Sequence, residues 1–204
     1  DVGDEVLVNH HSWEIIPDKV LAIDPRKVYM APLKKAHWDN EGTLRLKWWE
    51  QNNQAKEKSL PVSLFKLSSG SQPILLDTKF DPEKTLILEG EVLLPSANDS
   101  ASTGLYLQGS GNQGTVFLVR KNGVVEFGSI RMDGAGFEKE GSADRELSLK
   151  GRVSFRLVRK GLLTEFYLDD YLMQCYSIPE QATGRIGLIG SINDFGKIKA
   201  WYCA

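Results

Sequence analysis

Cysteine, histidine and surplus charge of either sign are all scarce in this chain of 204 residues. With two cysteines, three histidines and no histidine near either Cys175 or Cys203, no paired-ligand metal signature forms. Twenty-five basic residues against 27 acidic ones leave a net charge of −2. That balance lacks the basic footprint of a nucleic-acid or anionic-membrane partner. No apolar run approaches the roughly 20 residues that a membrane-spanning helix needs. The chain starts at Asp1 with neither an initiating Met nor a signal-peptide pattern, which reads as a trimmed N-terminus. Amphipathic helical periodicity and βαβ alternation are missing, which disfavours a doubly wound nucleotide-binding fold. No repeat at a period of roughly 20 to 50 residues points to a propeller or solenoid.

What the sequence has is strand periodicity. Thr115–Arg120 and Val124–Arg131 flank Asn122-Gly123, a hairpin signal because both residues tolerate positive φ. A second hairpin reads as Gly161–Leu168 and Tyr171–Tyr176 around Asp169-Asp170. Thr85–Leu94, Gly104–Gln108, Arg152–Arg159, Gly184–Ile189 and Gly196–Tyr202 follow the same alternation, as do Thr43–Trp49 and Ile74–Phe80. Weaker strand patterns lie at Glu5–Val8 and Lys27–Ala31, and Gln51–Lys58 is the one helical candidate, without an apolar face. About a dozen short strands with turn residues between them predict an all-β, antiparallel two-sheet sandwich of jelly-roll type. Residues 1–26 read as an extended leading arm and residues 27–204 as the sandwich domain.

The order of several of these segments resembles a known class. Asp39–Leu46, Ile74–Phe80, Leu86–Leu94 and Ser102–Leu107 are similar to the strand order of concanavalin A-like sandwich modules. Arg152–Arg159, Thr164-Glu-Phe-Tyr-Leu-Asp-Asp170 and Gly184–Leu188 resemble the C-terminal β-sandwich domain of glycoside hydrolase family 32, which contains invertases, inulinases and levanases. The likeness covers residues 73–204 and not the first 72. The family's catalytic propeller signatures are absent; Asp24-Pro25-Arg26 does not read as its Arg-Asp-Pro element. The resemblance therefore implies an accessory sandwich without nucleophile or acid, a carbohydrate partner such as a fructan, and possible company of an upstream catalytic domain. It also implies a secreted, periplasmic or cell-surface protein.

Residue chemistry leaves several alternatives open. Glycoside hydrolysis uses two carboxylates, and Glu89 and Glu91 share a strand face about 7 Å apart. Leu93 stands where a third acid would complete the sandwich-glucanase spacing, so a solvated face is the preferred reading. Glu165 and Asp169 flank Tyr167 and could bond sugar hydroxyls or simply solubilise an outer surface. Glu138, Glu140, Asp144 and Glu146 read as loop charges. His10 and His11, adjacent on an extended chain, point to opposite faces and do not chelate one ion, and His37 stands alone. No metal site or cofactor is expected; Asn98, Asp99, Asn193 and Asp194 offer oxygen ligands for calcium, too common a pattern to count. Cys175 and Cys203 could form one disulfide, but two buried thiols are preferred.

Aromatics carry more information. Trp13, Trp38, Trp48 and Trp49 lie with all three histidines in the first quarter of the chain. Alternation puts Leu44, Leu46 and Trp48 on one face, making Trp48 core, and Trp49 on the other. An indole at Trp49 or Trp38 could stack on a sugar ring; the competing reading, preferred for Trp49, is that the leading arm with Trp13 and Ile15 covers it.

Overall fold

A computed structural model of the chain describes residues 5–13, 28–63, 73–95, 102–109, 113–131, 136–142, 146–178 and 184–203. In chain order the strands are β1 (Leu7–Val8), β2 (His11–Trp13), β3 (Val28–Met30), β4 (Lys34–Trp38), β5 (Leu44–Trp48) and β6 (Lys56–Leu60). Next come β7 (Ile74–Leu75), β8 (Leu86–Leu93), β9 (Thr103–Gln108), β10 (Gln113–Val119), β11 (Val125–Arg131) and β12 (Phe137–Ser142). The last five are β13 (Arg152–Lys160), β14 (Leu163–Leu168), β15 (Tyr171–Ser177), β16 (Ile186–Ile189) and β17 (Phe195–Cys203). They form a nine-stranded sheet, β1-β4-β5-β15-β14-β13-β8-β17-β6, and a six-stranded sheet, β12-β11-β10-β9-β16-β7. β2 and β3 make a separate ribbon. The expected antiparallel two-sheet sandwich is what the chain builds.

Both hairpins arise where positive φ was required. Asn122 and Gly123 adopt φ of 60° and 77°, and Asp169 and Asp170 adopt 48° and 65°. Two consecutive left-handed residues give the local twist that antiparallel strands need at a tight turn. Alternation then sorts side chains by face. Leu88, Val92, Phe155, Leu157, Phe166 and Leu168 of the larger sheet meet Leu105, Phe117, Val119 and Phe127 of the smaller one in a single core. Phe117 stacks on Phe166 with ring centroids 5.3 Å apart.

Three departures from the sequence reading have physical causes. The helical candidate Gln51–Lys58 is helical only as far as Ala55, in a 3-10 turn over Glu50–Ala55, and Lys56–Leu60 goes on as an edge strand. Charged alternation at a sheet edge is compatible with pairing on one side only. Ile74–Phe80 yields just two strand residues, after which Leu76 and Phe80 plug loops into the core. Glu138 and Glu140 lie on edge strand β12, not in a loop, while Asp144 falls outside the described residues. Of the leading 1–26 segment, residues 5–13 are described; Leu7–Val8 pairs with β4 as the outermost strand of the larger sheet.

The larger sheet is strongly coiled, as its connectivity requires. β5 and β6 are consecutive in the chain yet stand third and ninth in the strand order. Six strand spacings amount to about 29 Å on a flat sheet, whereas a six-residue 3-10 turn rises only about 12 Å. The β1-β4-β5 limb therefore folds back over the sheet's outward face. This is why Trp48 packs on Ile87, Val158 and Tyr167 in a second small core, and why Tyr29 lies over the β13–β14 turn at Gly161, where a Cβ would sit 2.0 Å from its ring.

Candidate functional site

Register arranges the outward face of the larger sheet in rows. Trp201, Ile87, Val158, Glu165 and Cys175 are successive cross-strand partners, as are Lys199, Glu89, Arg156 and Tyr167. Gly196 and Ser154 flank Glu91 on either side. The first row lies under the folded-back limb. Beyond it the face is charged and holds an open depression of about 240 Å³, lined by Glu89, Glu91, Arg156, Asp170, Lys197 and Lys199 among others.

Each polar group in the depression is fixed by a distinct piece of backbone. Asp170 belongs to the left-handed β14–β15 turn and accepts from Arg156 Nη1 at 2.7 Å. Arg156 Nε donates to Glu89 Oε1 at 2.6 Å, and Lys56 Nζ reaches both oxygens of Glu89, at 2.8 and 2.9 Å. In β17 the register slips between Gly196 and Lys199, with Lys197 at φ +51°. The bulge sets Gly196 opposite Glu91 and aims Lys197 Nζ at Glu91 Oε1, 2.6 Å away. Among the described residues, Glu91 Oε2, Asp170 Oδ2 and Lys199 Nζ make no hydrogen bond or ion pair, and all three residues line the depression. Such acceptors and donors, held on strands, match the double hydrogen-bonding character of hydroxyl groups.

Glu89 and Glu91 thus lie together, as their spacing predicted, each tied to cations. Glu165 and Tyr167 do not join them. Both are fully buried, which corrects the reading of them as sugar ligands or as a solvated face. The alternation was right about the direction of these side chains, but it carried no sign of the limb that covers them.

What covers Glu165 is Lys34, also fully buried, whose ammonium contacts Glu165 Oε1. Lys34 Nζ also donates to the Pro32 carbonyl at 2.8 Å and lies 3.2 Å from His10 Nδ1. An ammonium only donates, so Nδ1 accepts and the His10 proton resides on Nε2. That nitrogen is 3.1 Å from Glu165 Oε1 and 2.8 Å from Cys175 Sγ. Tyr167 OH donates to Glu165 Oε2 at 2.6 Å. Burial pushes the Glu165 carboxyl up, but the His10 hydrogen bond and the Lys34 charge outweigh it and hold the pKa below the ordinary value. Burial lowers Lys34, and burial with the Glu165 charge pushes the Cys175 thiol up to about 12. His10, Glu165 and Cys175 stand within 4.8 Å of one another, separations a metal ion could bridge. The cation seated among them is the Lys34 ammonium, and the thiol keeps its proton.

The tryptophans divide three ways. Trp48 is core as expected, edge-on to Tyr167 at 5.5 Å and under the Arg156 guanidinium at 4.2 Å. Trp49 is half-buried and donates from Nε1 to Glu5 Oε2 at 2.9 Å, so a leading-segment residue meets it. The Trp13 side chain and Ile15 lie outside the described residues. Trp38 is 67% exposed, beside exposed Leu44 on the next strand, and does not line the depression. Of the calcium candidates, Asn98 and Asp99 are outside the described residues. Asp194 caps a turn by accepting from Ser191 N, and Arg152 occupies the Asn193 and Asp194 carbonyls.

This architecture defines the class: a concanavalin A-like β-sandwich resembling the C-terminal domain of glycoside hydrolase family 32 proteins. No family model matches the sequence, and no curated protein matches it by sequence. Among solved structures, the fold is similar to a family 32 glycoside hydrolase from Bifidobacterium adolescentis, at 14% identity and TM-score 0.60 over 98% of this chain and 29% of that one. It is similar to sucrose-6-phosphate hydrolase from Lactobacillus gasseri, at 10% identity and TM-score 0.55, covering 96% and 38%. A β-fructofuranosidase from Aspergillus kawachii matches at 12% identity and TM-score 0.50, covering 96% and 35%. The chain thus spans between 29% and 38% of the length of these three structures.

Proposed function

We propose that this sandwich is a non-catalytic, carbohydrate-binding accessory module of a family 32-type glycoside hydrolase polypeptide, working outside the cytoplasm on a fructan or similar polysaccharide. The observation that carries the reading is the β17 bulge. It holds Lys197, a non-glycine residue, in the left-handed region, where its side chain completes the wall of the hollow and reaches Glu91. Strained backbone of this kind persists where the surrounding structure over-determines it, and it gathers at ligand sites. Three carboxylates (Glu89, Glu91, Asp170) face three cations (Arg156, Lys197, Lys199) across the depression. That balance suits a neutral sugar and offers no surplus charge to a uronic acid or a sugar phosphate. A volume of about 240 Å³ accommodates one sugar ring at a time.

The test is retention on levan and inulin, with xylan and cellulose as controls, followed by titration of the free sugars. Glu91→Gln and Asp170→Asn should abolish retention with the fold intact. Unchanged binding by both variants, or loss only in Trp38→Ala and Trp49→Ala, would place the sugar elsewhere. A catalytic reading based on Glu89 and Glu91 predicts reducing-sugar release that disappears in Glu89→Gln; both oxygens of Glu89 are already held by cations.

A further inference from the structure

A second cavity, of about 220 Å³, opens on the same outward face beneath the folded-back limb. Its walls are largely apolar: Met30 at the end of β3, Pro32 in the β3–β4 connection, Trp48 from the limb, and Ile87 and Val158 from the sheet. Asn52, Thr85, Cys203 and Lys160 interrupt them. The Nε1–H of Trp48, a residue 2% exposed, has no acceptor among the described residues. A buried donor without an acceptor is costly, and its persistence calls for an explanation. Lys160 stands in the lining without a carboxylate partner among the described residues, and the lining contains no Asp or Glu. The largely apolar hollow thus has one cation, Lys160, and no anion in its lining, beside a buried indole donor without an acceptor.

We propose that this cavity binds a medium-chain amphiphilic carboxylate, its tail among Met30, Ile87 and Val158 and its head group toward Lys160. An apolar cavity of about 150 Å³ takes up benzene, so the present one has room for roughly ten heavy atoms. Octanoate has that size and charge. The site is separate from the sugar depression, although Trp48 lines one and the Arg156 stacked on it lines the other.

Octanoate and octan-1-ol should be titrated into the intact chain while the five indole N–H resonances are followed by NMR, with Trp48→Phe identifying the Trp48 signal. Saturable binding of octanoate on the order of a millimolar or tighter, shifting the Trp48 signal, is expected. Lys160→Met should weaken octanoate at least about tenfold and leave octan-1-ol unchanged. Ala55→Phe, an exposed position at the rim, should weaken both. Sugar retention should survive either change, which separates this proposal from the one above. Non-saturable shifts, or octanoate binding indifferent to both variants, would overturn it; octan-1-ol binding as tightly as octanoate would overturn the carboxylate assignment.

Discussion

Arg156 lies with its guanidinium 4.2 Å from the Trp48 ring centre while its Nε donates to Glu89 at 2.6 Å. One side chain thus joins the covered, apolar part of the outward face to its open, charged part. Replacing Arg156 with Lys should therefore affect both. A lysine keeps the charge but loses the planar fork and the stacking. Stability should fall by about 1–2 kcal/mol in urea denaturation, and sugar affinity should drop more than about tenfold as Glu89 and Asp170 lose their shared anchor.

The buried Lys34–Glu165 pair makes a sharper stability prediction. Lys34→Met or Glu165→Gln alone should cost about 3–5 kcal/mol, because each strands a buried polar partner. The double change Lys34→Met with Glu165→Leu should recover most of that loss, as apolar replacement of both partners often does. Equilibrium unfolding of the three variants measures the difference.

Acid should expose the same pair. The folded-state pKa of Glu165 lies below its ordinary value of 4.5. Its contribution is therefore complete above the unfolded pKa and is lost as pH falls through the folded one. The thermal midpoint should decline on acidification below about pH 4.5, and Glu165→Gln should flatten that part of the profile.

Gly196→Val puts bulk against Glu91, one wall of the depression. A Cβ at this position already lies 3.3 Å from Glu91 Oε2 and 3.4 Å from Arg152 Nη1. Sugar retention should vanish while stability changes by less than about 1 kcal/mol, since the site faces outward. Retention on levan and a melting curve, read together, decide it.

Both thiols should remain free and slow to react. Cys175 and Cys203 stand on strands separated by β14, β13 and β8, four spacings or about 19 Å on the sheet. A disulfide needs Cα atoms within about 7 Å. Burial raises both thiol pKa values, so both should be alkylated slowly at neutral pH and faster once the chain unfolds. Two thiols titrated in denaturant, after air exposure, is the expected count.

Much of the fold was legible because its strongest signals are local. Asn122-Gly123 and Asp169-Asp170 announce their turns through conformations that few residues tolerate, and alternation in β8, β13 and β14 sorts core from outward faces. Strands β4, β6 and β12 were not legible, since Lys-Lys-Ala-His-Trp, Lys-Glu-Lys-Ser-Leu and Phe-Glu-Lys-Glu-Gly-Ser look like solvated loops. The site was half legible. Glu89 and Glu91 share a face by spacing alone, whereas Arg156, Asp170 and Lys197 reach them only through sheet pairing, a turn and a bulge. Lys34 gave no signal at all: a lysine reads as solvent-exposed until a carboxylate 131 positions later is found beneath it.

The position of β6 also bears on how the molecule comes into being. This strand pairs residues 56–60 with residues 200–203, separations of 140 to 147 positions. Contacts of such sequence separation slow folding, because loop closure precedes any gain from pairing. Lys56 at the start of β6 holds Glu89, and β17 supplies Gly196, Lys197 and Lys199. Without β17 the chain would keep most of its core sequence but lack Lys197 and Lys199, and the depression would be incomplete. The depression is complete only once β17 is in place, so the proposed sugar binding would report completed folding as much as affinity.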